Sequence, residues 1–134
     1  MFVLDTNTLV YFFRGEGGVA QRLLSTAPAE IAIPAVVVFE LETGIQKSTD
    51  SKKRRGQLDV LLQATTVLSF GLAEARAAAS IRATLEQAGT PIGPMDTLIA
   101  ATAVAHRATL VTRNTREFSR VPGLTVVDWY GPAT

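Results

Sequence analysis

Phe2-Val3-Leu4-Asp5-Thr6-Asn7 is the stretch from which the rest of the chain is read. A short, wholly apolar run that stops at an acid and two hydrogen-bonding residues predicts a buried strand followed by a polar turn or a helix start. The same grammar recurs along the chain. Ile31-Ala32-Ile33, cut off by Pro34, is a second strand candidate, and Thr66-Val67-Leu68, Thr109-Leu110-Val111-Thr112 and Thr125-Val126-Val127 are three more. Helical segments lie between them. Leu9 to Phe13 stops near Gly15, and Val19 to Leu24 ends near Pro28. Leu58 to Leu62 is a further short helix, after the polar stretch Lys47 to Gly56. From Leu72 to Ala88, apolar Ala78, Ile81, Leu85 and Ala88 recur at spacings of three and four before Gly89, the pattern of an amphipathic helix with a glycine stop. Met95 to His106 predicts a mostly apolar, buried helix after the Thr90-to-Pro94 loop. Ala35 to Gln46 is ambiguous: Val36-Val37-Val38 favours a strand, whereas the Leu41–Ile45 spacing and a proline at the start favour a helix, the assignment adopted here. Short strands alternating with helices predict an α/β fold, a three-layer sandwich with a central parallel sheet of four to five strands flanked by helices. Ligands in such sheets gather at the carboxyl ends of the strands. Two polar clusters fall there, Asp5-Thr6-Asn7 and Thr112-Arg113-Asn114.

Composition narrows the function classes. The 134 residues predict one domain, 1–134, and 47% hydrophobic residues exclude a disordered chain. The absence of cysteine excludes disulfides, thiolate zinc sites and cysteine nucleophiles together. Thirteen basic and 12 acidic residues give a net charge of +1, so any contact with nucleic acid must come from local patches. The first residues carry no basic leader, and no apolar run reaches the length of a membrane span; the expectation is a cytoplasmic protein without membrane contact.

The acidic residues carry the chemistry. Asp5 directly follows an apolar strand, where a charge is costly unless paired or metal-bound; its plainer role is to cap the next helix. Glu40 interrupts the apolar run Val36-Val37-Val38-Phe39, and Glu42 points to another side of the same helix. Glu40 shares a face with Gly44, where glycine predicts close packing. Asp96 stands near a helix N-terminus, where a negative charge is favourable in any case, and Glu117 could simply pair with a nearby arginine. Taken together, all four can reach one end of one sheet. Carboxylates gathered there repel each other and resist ionising, and a hard divalent cation relieves that repulsion.

Four segments resemble the PIN-domain ribonucleases of the VapC toxin type: Phe2 to Asn7, Glu40-Leu41-Glu42-Thr43-Gly44, Pro91 to Ala101, and Val111 to Phe118 leading into Val121-to-Leu124 and Asp128-Trp129. They occur in the family's order and run nearly end to end. The resemblance implies a parallel sheet with the first strand central, and endonucleolytic cleavage of RNA by metal-activated water. It implies Asp5 and Asp96 as principal metal ligands, Glu40 as ligand or water-mediated neighbour, and Mg2+ as the metal, with Mn2+ as a substitute. Asn114 stands where many relatives place aspartate, which leaves Glu117 to supply a fourth catalytic charge and favours one metal over two. Thr6, Asn7, Thr112 and Asn114 are supporting polar residues, with turn formation and capping as their alternative roles. The resemblance further implies a cognate antitoxin seated in a groove near the site, for which Phe12, Phe13, Leu41 and Ile45 are candidates, and a homodimer. No direct binding to DNA is expected without the antitoxin.

Other features have plainer explanations. Arg113, Arg116 and Arg120 follow the active-end strand and are the RNA-contact candidates, whereas Lys52-Lys53-Arg54-Arg55 reads first as a solvated helix end. His106, the single histidine, lies almost three turns from Asp96 and reads as structural. Trp129-Tyr130 reads as packing or dimer surface. Two other functions are open to this sequence: a catalytically silent binding module on the same scaffold, or an aspartyl-phosphate phosphotransferase, which Asn7 disfavours by standing where a second aspartate is needed.

Overall fold

The structure, a computed structural model, describes residues 1–132; Ala133 and Thr134, counted in the expected domain, lie outside the described residues. Five strands form one sheet: β1 (Phe2–Leu4), β2 (Ile31–Pro34), β3 (Thr66–Leu68), β4 (Thr109–Val111) and β5 (Thr125–Val127). Their order is β3-β2-β1-β4-β5, every neighbouring pair is parallel, and β1 is central. The connections carry the helices α1 (Thr6–Arg14), α2 (Val19–Leu24), α3 (Ala35–Lys47), α4 (Ser51–Ala64), α5 (Leu72–Gln87), α6 (Pro94–Ala105) and α7 (Thr115–Phe118). α1 packs on α2 and α3, and α3 on α4, whereas α5 packs on α6. The chain moves outward from β1 through β2 to β3, then crosses back to β4 on the other side of β1. With right-handed crossovers, that reversal sends the earlier and later helices to opposite faces of the sheet. It also makes the carboxyl ends of β1 and β4 a topological switch point, where a crevice opens.

Pairing continues one residue beyond the strands. The Asp5 amide donates to the Val111 carbonyl at 3.2 Å, and the Thr112 amide to the Val127 carbonyl at 2.9 Å. Asp5 and Thr112 therefore stand side by side on adjacent chains at the crevice. Below them, Leu4, Leu9, Ile33, Val37, Ile99 and Leu110 are fully buried and tie the sheet to its helices.

Several boundaries differ from the sequence expectation. α1 begins at Thr6, three residues early, because Asp5 caps it; Gly15 ends it in the left-handed region with φ 67°. Pro34 closes β2 opposite Leu68 instead of opening α3. Its missing N–H is harmless there because pairing with β1 has already ended at Ala32. The valines of α3 follow the helix because Val36, Val37, Leu41 and Ile45 then share a buried face. The polar stretch 47–56 is largely helical, with only 48–50 between α3 and α4. α7 was hidden inside a polar segment; its single turn buries Phe118.

Leu110 is fully buried on β4 beside Val3 of the central strand. Leu110→Ala is expected to lower the unfolding free energy by about 2–5 kcal/mol in urea titration, with the native secondary structure retained.

Candidate active site at the carboxyl end of the sheet

The site is built from the end of β1 upward. Asp5 is 5% exposed, so its charge has to be met within the protein. One oxygen, Oδ1, accepts from the Thr8 amide at 2.9 Å and caps α1. The other, Oδ2, accepts from the Thr112 hydroxyl at 2.6 Å. Burial pushes the Asp5 carboxyl up; the Thr112 and Thr8 hydrogen bonds pull it back, and the Glu40 charge adds to the rise. The capping role weighed for Asp5 in the sequence is present, and the same carboxylate also feels the charge of Glu40.

α1 and α3 place the second carboxylate. Thr6, the first residue of α1, donates its hydroxyl to Glu40 Oε1 at 2.5 Å. Glu42 points elsewhere and pairs with Arg55 at 2.6 Å, which holds its carboxyl below the usual range. The close packing expected over Gly44 is absent: nothing lies within 4 Å of where its Cβ would be. Gly44 instead lines an open groove of about 340 Å3 with Thr6, Phe13, Glu40, Leu41 and Ile45. Phe12 faces a separate depression with Leu24 and Val60.

Asp96 enters from the first turn of α6 and is half-buried. Its carboxyl is pushed up to about 6, by burial first and then by the charges of Asp5, Glu40 and Glu117. Asp96 therefore lies within electrostatic reach of three acids carried by other elements, although no three of these side chains come close enough among the described residues to form a ready cage. Glu117, on α7, is held by Asn114, whose side-chain amide donates to its Oε2 at 2.8 Å. The Asn114 backbone amide in turn donates to Thr112 Oγ1 at 3.0 Å. Asn114 is therefore a support for Glu117 and for the Asp5–Thr112 pair. None of the four carboxylates has a basic group within 4.0 Å among the described residues.

Beside Asp5 a cleft of about 230 Å3 is lined by Asn7, Tyr11, Arg113 and Asn114. Arg113 lies over the Tyr130 ring, 3.6 Å from its centroid, and 5.7 Å from that of Tyr11. Arg116 is exposed. Arg120 donates to the Pro91 carbonyl at 3.2 Å and so ties the end of α7 to the loop before α6. In the Lys52-to-Arg55 run, Arg54 reaches the Phe13 carbonyl and Arg55 reaches Glu42, leaving the two lysines to solvent. His106 sits at the far end of α6, 3.9 Å from Glu74, about 15 Å along the helix from Asp96. Trp129 is buried and packs on Phe2 with ring centroids 5.2 Å apart.

Three residues at the site escaped the sequence reading. Thr8 is buried, caps with its amide and donates its hydroxyl to the Val111 carbonyl. Tyr11 follows Asn7 by four residues and so shares its face, a signal that was available. Tyr130 meets the cleft-lining Tyr11 and Arg113 only through the fold.

Known proteins agree with this architecture. Residues 2–124 match the PIN domain family. A ribonuclease VapC2 from Rickettsia felis is 34% identical over 131 residues, covering 96% of this chain and 98% of its own. A tRNA(fMet)-specific endonuclease VapC from Salmonella typhimurium is 30% identical, covering 96% of this chain and 97% of its own. Among solved structures, VapBC2 from Rickettsia felis, bound to a DNA fragment from its promoter, superposes with a TM-score of 0.88 at 34% identity, covering 96% of this chain and 98% of that one. DNA-bound VapBC from Salmonella typhimurium also gives 0.88, at 31% identity over 96% and 97% of the two chains. Agreement in sequence and in fold over nearly the whole length makes this chain a member of the PIN-domain family, of the VapC ribonuclease type.

Proposed function

We propose that the chain is a metal-dependent endoribonuclease and the toxin of a toxin–antitoxin pair, with Asp5, Asp96 and Glu40 holding Mg2+ or Mn2+. The observation that carries this reading is that Asp96 feels the charges of Asp5, Glu40 and Glu117 at the switch-point crevice while none of the four has a basic partner among the described residues. Acids brought together in a cleft without a cationic partner are a mark of functional sites, and a bound cation would relieve their repulsion. The donor set is all oxygen, which suits a hard cation. No three ligand-type side chains among the described residues form a ready-made cage. That openness is compatible with magnesium, which binds through one or two carboxylates and keeps several waters. A bound divalent cation supplies a more acidic water and offsets charge on the phosphate.

The protein's own groups divide the remaining work. Thr112 and Thr8 fix the Asp5 carboxylate, and Thr6 fixes that of Glu40, so neither swings when substrate arrives. The Asp96 carboxyl, pushed up to about 6, and the Asp5 carboxyl, also raised, are the pH-sensitive members of the set. Asn114 aims Glu117 toward the same space. Arg113, Arg116 and Arg120 supply the local positive charge for the RNA backbone that a net charge of +1 cannot. The Salmonella relative's name makes tRNA(fMet) the first substrate to test. The VapBC assemblies among the solved structures support an antitoxin as the partner of this chain. The groove over Gly44 opens onto Glu40 and offers that partner an apolar seat on Phe13, Leu41 and Ile45.

Asp5→Asn and Asp96→Asn preserve shape and remove a charge. Each is expected to reduce cleavage of tRNA(fMet) or total cellular RNA about a hundredfold or more, as loss of several kcal/mol of charge stabilisation requires. Sequencing of RNA ends after brief induction gives the readout; parental cleavage by both variants would overturn the ligand assignment.

Because Asp96 must give up a proton to bind a cation, Mg2+ affinity measured by calorimetry should weaken as pH falls through about 6. The linked stability effect has the opposite sense. Folding raises the Asp96 carboxyl from 3.8 to about 6, so the metal-free native state holds the proton more tightly and loses stability as pH rises through that window. Asp96→Asn should therefore raise the melting temperature of the metal-free protein at neutral pH, and the gain should vanish below pH 3.8.

A further inference from the structure

The cleft beside Asp5 has a cationic wall, and the chain's C-terminal segment builds it. After β5, residues 128–132 fold back over the turn between α1 and α2. The Gly18 amide donates to the Tyr130 carbonyl at 2.7 Å. The Arg22 guanidinium donates to the Asp128 and Pro132 carbonyls, both at 2.8 Å, and the Tyr130 amide donates to Asp128 Oδ1 at 2.8 Å. The two glycines are needed for this approach. A Cβ on Gly17, which also has φ 64°, would meet the Tyr130 carbonyl at 2.6 Å, and one on Gly18 would meet the Gly131 carbonyl at 2.5 Å.

The strap fixes the Tyr130 ring. Its edge-to-face contact with Tyr11 has centroids 4.9 Å apart and planes at 74°, and Arg113 lies across it at 3.6 Å. Arg113 is exposed and follows Thr112, the hydroxyl donor to Asp5. Stacking on an aromatic face holds the guanidinium flat, and its five N–H groups outnumber the two tyrosine hydroxyls beside it, so donors remain for an oxyanion. Asp5 on one side of the cleft and a held cation on the other match the chemistry of a polynucleotide, whose successive phosphates need a cleavage centre and an anchor.

We propose that Arg113 binds a backbone phosphate of the RNA next to the bond that is cut, and that Tyr130, carried by the strap, is the residue that positions it. This rests on the ribonuclease reading and adds to it a subsite and the element that builds it. Arg113 is the contact group; Tyr130 acts through it.

The test uses the full chain and a tRNA(fMet) transcript. Cleavage kinetics are paired with binding measured by fluorescence anisotropy over a potassium chloride series, in an Asp96→Asn background so that the RNA stays intact. Arg113→Gln should raise KM about tenfold with kcat little changed. It should also flatten the dependence of log affinity on log salt by about 0.7, the share of one phosphate contact. Tyr130→Ala should move both quantities the same way although the charge remains, and Tyr130→Phe, which keeps the ring, should restore them. Arg113→Lys should not restore them, because an ammonium lacks the planar face that stacks. If Tyr130→Ala proves unfolded by circular dichroism, Tyr130→Leu keeps the bulk without the π face and should behave as Tyr130→Ala was expected to. A folded Tyr130→Ala or Tyr130→Leu with parental KM and salt slope overturns the positioning role. An unchanged slope in Arg113→Gln overturns the subsite while leaving the ribonuclease reading intact. A parent chain that neither binds nor cuts RNA overturns the ribonuclease reading and this proposal with it.

Discussion

A buried carboxylate at the end of the central strand governs this structure. Asp5 is almost completely enclosed, and its two oxygens are divided between the Thr8 amide and the Thr112 hydroxyl. The first bond starts α1 and sets its direction; an N-cap of this kind contributes about 0.5–2 kcal/mol. The second bond joins β1 to β4 at the point where the sheet's topology reverses. With α1 so aimed, Thr6 reaches Glu40 and Tyr11 reaches the cleft. With β4 so joined, Asn114 and Glu117 follow Thr112 to the same place. One side chain thus acts as helix cap, strand clasp and member of the acidic cluster.

The distribution of charge around that residue is uneven in a consistent direction. The four acids of the crevice have no basic partner among the described residues, while arginines in the vicinity are engaged elsewhere. Arg54 is bound to a backbone carbonyl of α1, Arg55 to Glu42, Arg120 to the loop before α6, and Arg113 to a tyrosine ring. Any of them placed against Asp96 would lower its pKa and stabilise the fold. The fold instead carries a carboxyl pushed up to about 6, a local loss of stability of the sort that functional sites retain. The neighbouring groove follows the same logic: Gly44 leaves space over α3 that a larger residue would fill.

Much of the fold was legible because its signals are local. Short apolar runs such as Phe2-Val3-Leu4 and Ile31-Ala32-Ile33 became parallel strands, and the three-and-four spacing from Ala78 to Leu85 became a buried helix face. Local conflicts were settled by packing, in favour of the helix adopted for Ala35 to Gln46 and against the reading at Asn114 to Phe118 and at Gly44. Val36-Val37-Val38 has strand propensity, yet a helix buries more of its neighbours together. Asn114 to Phe118 is polar in composition, and only the burial of Phe118 reveals its helical turn. Gly44 was read as a site of close packing, whereas no element crosses there.

By itself the sequence determined the alternation of strands and helices, and it singled out Asp5, Glu40, Asp96 and Glu117, because hydrophobic period and an acid next to an apolar run are properties of adjacent residues. Only the tertiary structure decided what each acid contacts. Thr112 meets Asp5 across 107 positions, and Thr6 meets Glu40 across 34. Tyr130 comes under Arg113 because two glycines let residues 128–132 close over the turn between α1 and α2. Contacts at such separations depend on strand order and crossover direction, which no short stretch of sequence encodes. Asp5 could be named as an acid at a strand end from its neighbours alone; that it binds two elements together and feels the charges of Glu40 and Asp96 is a consequence of the sheet.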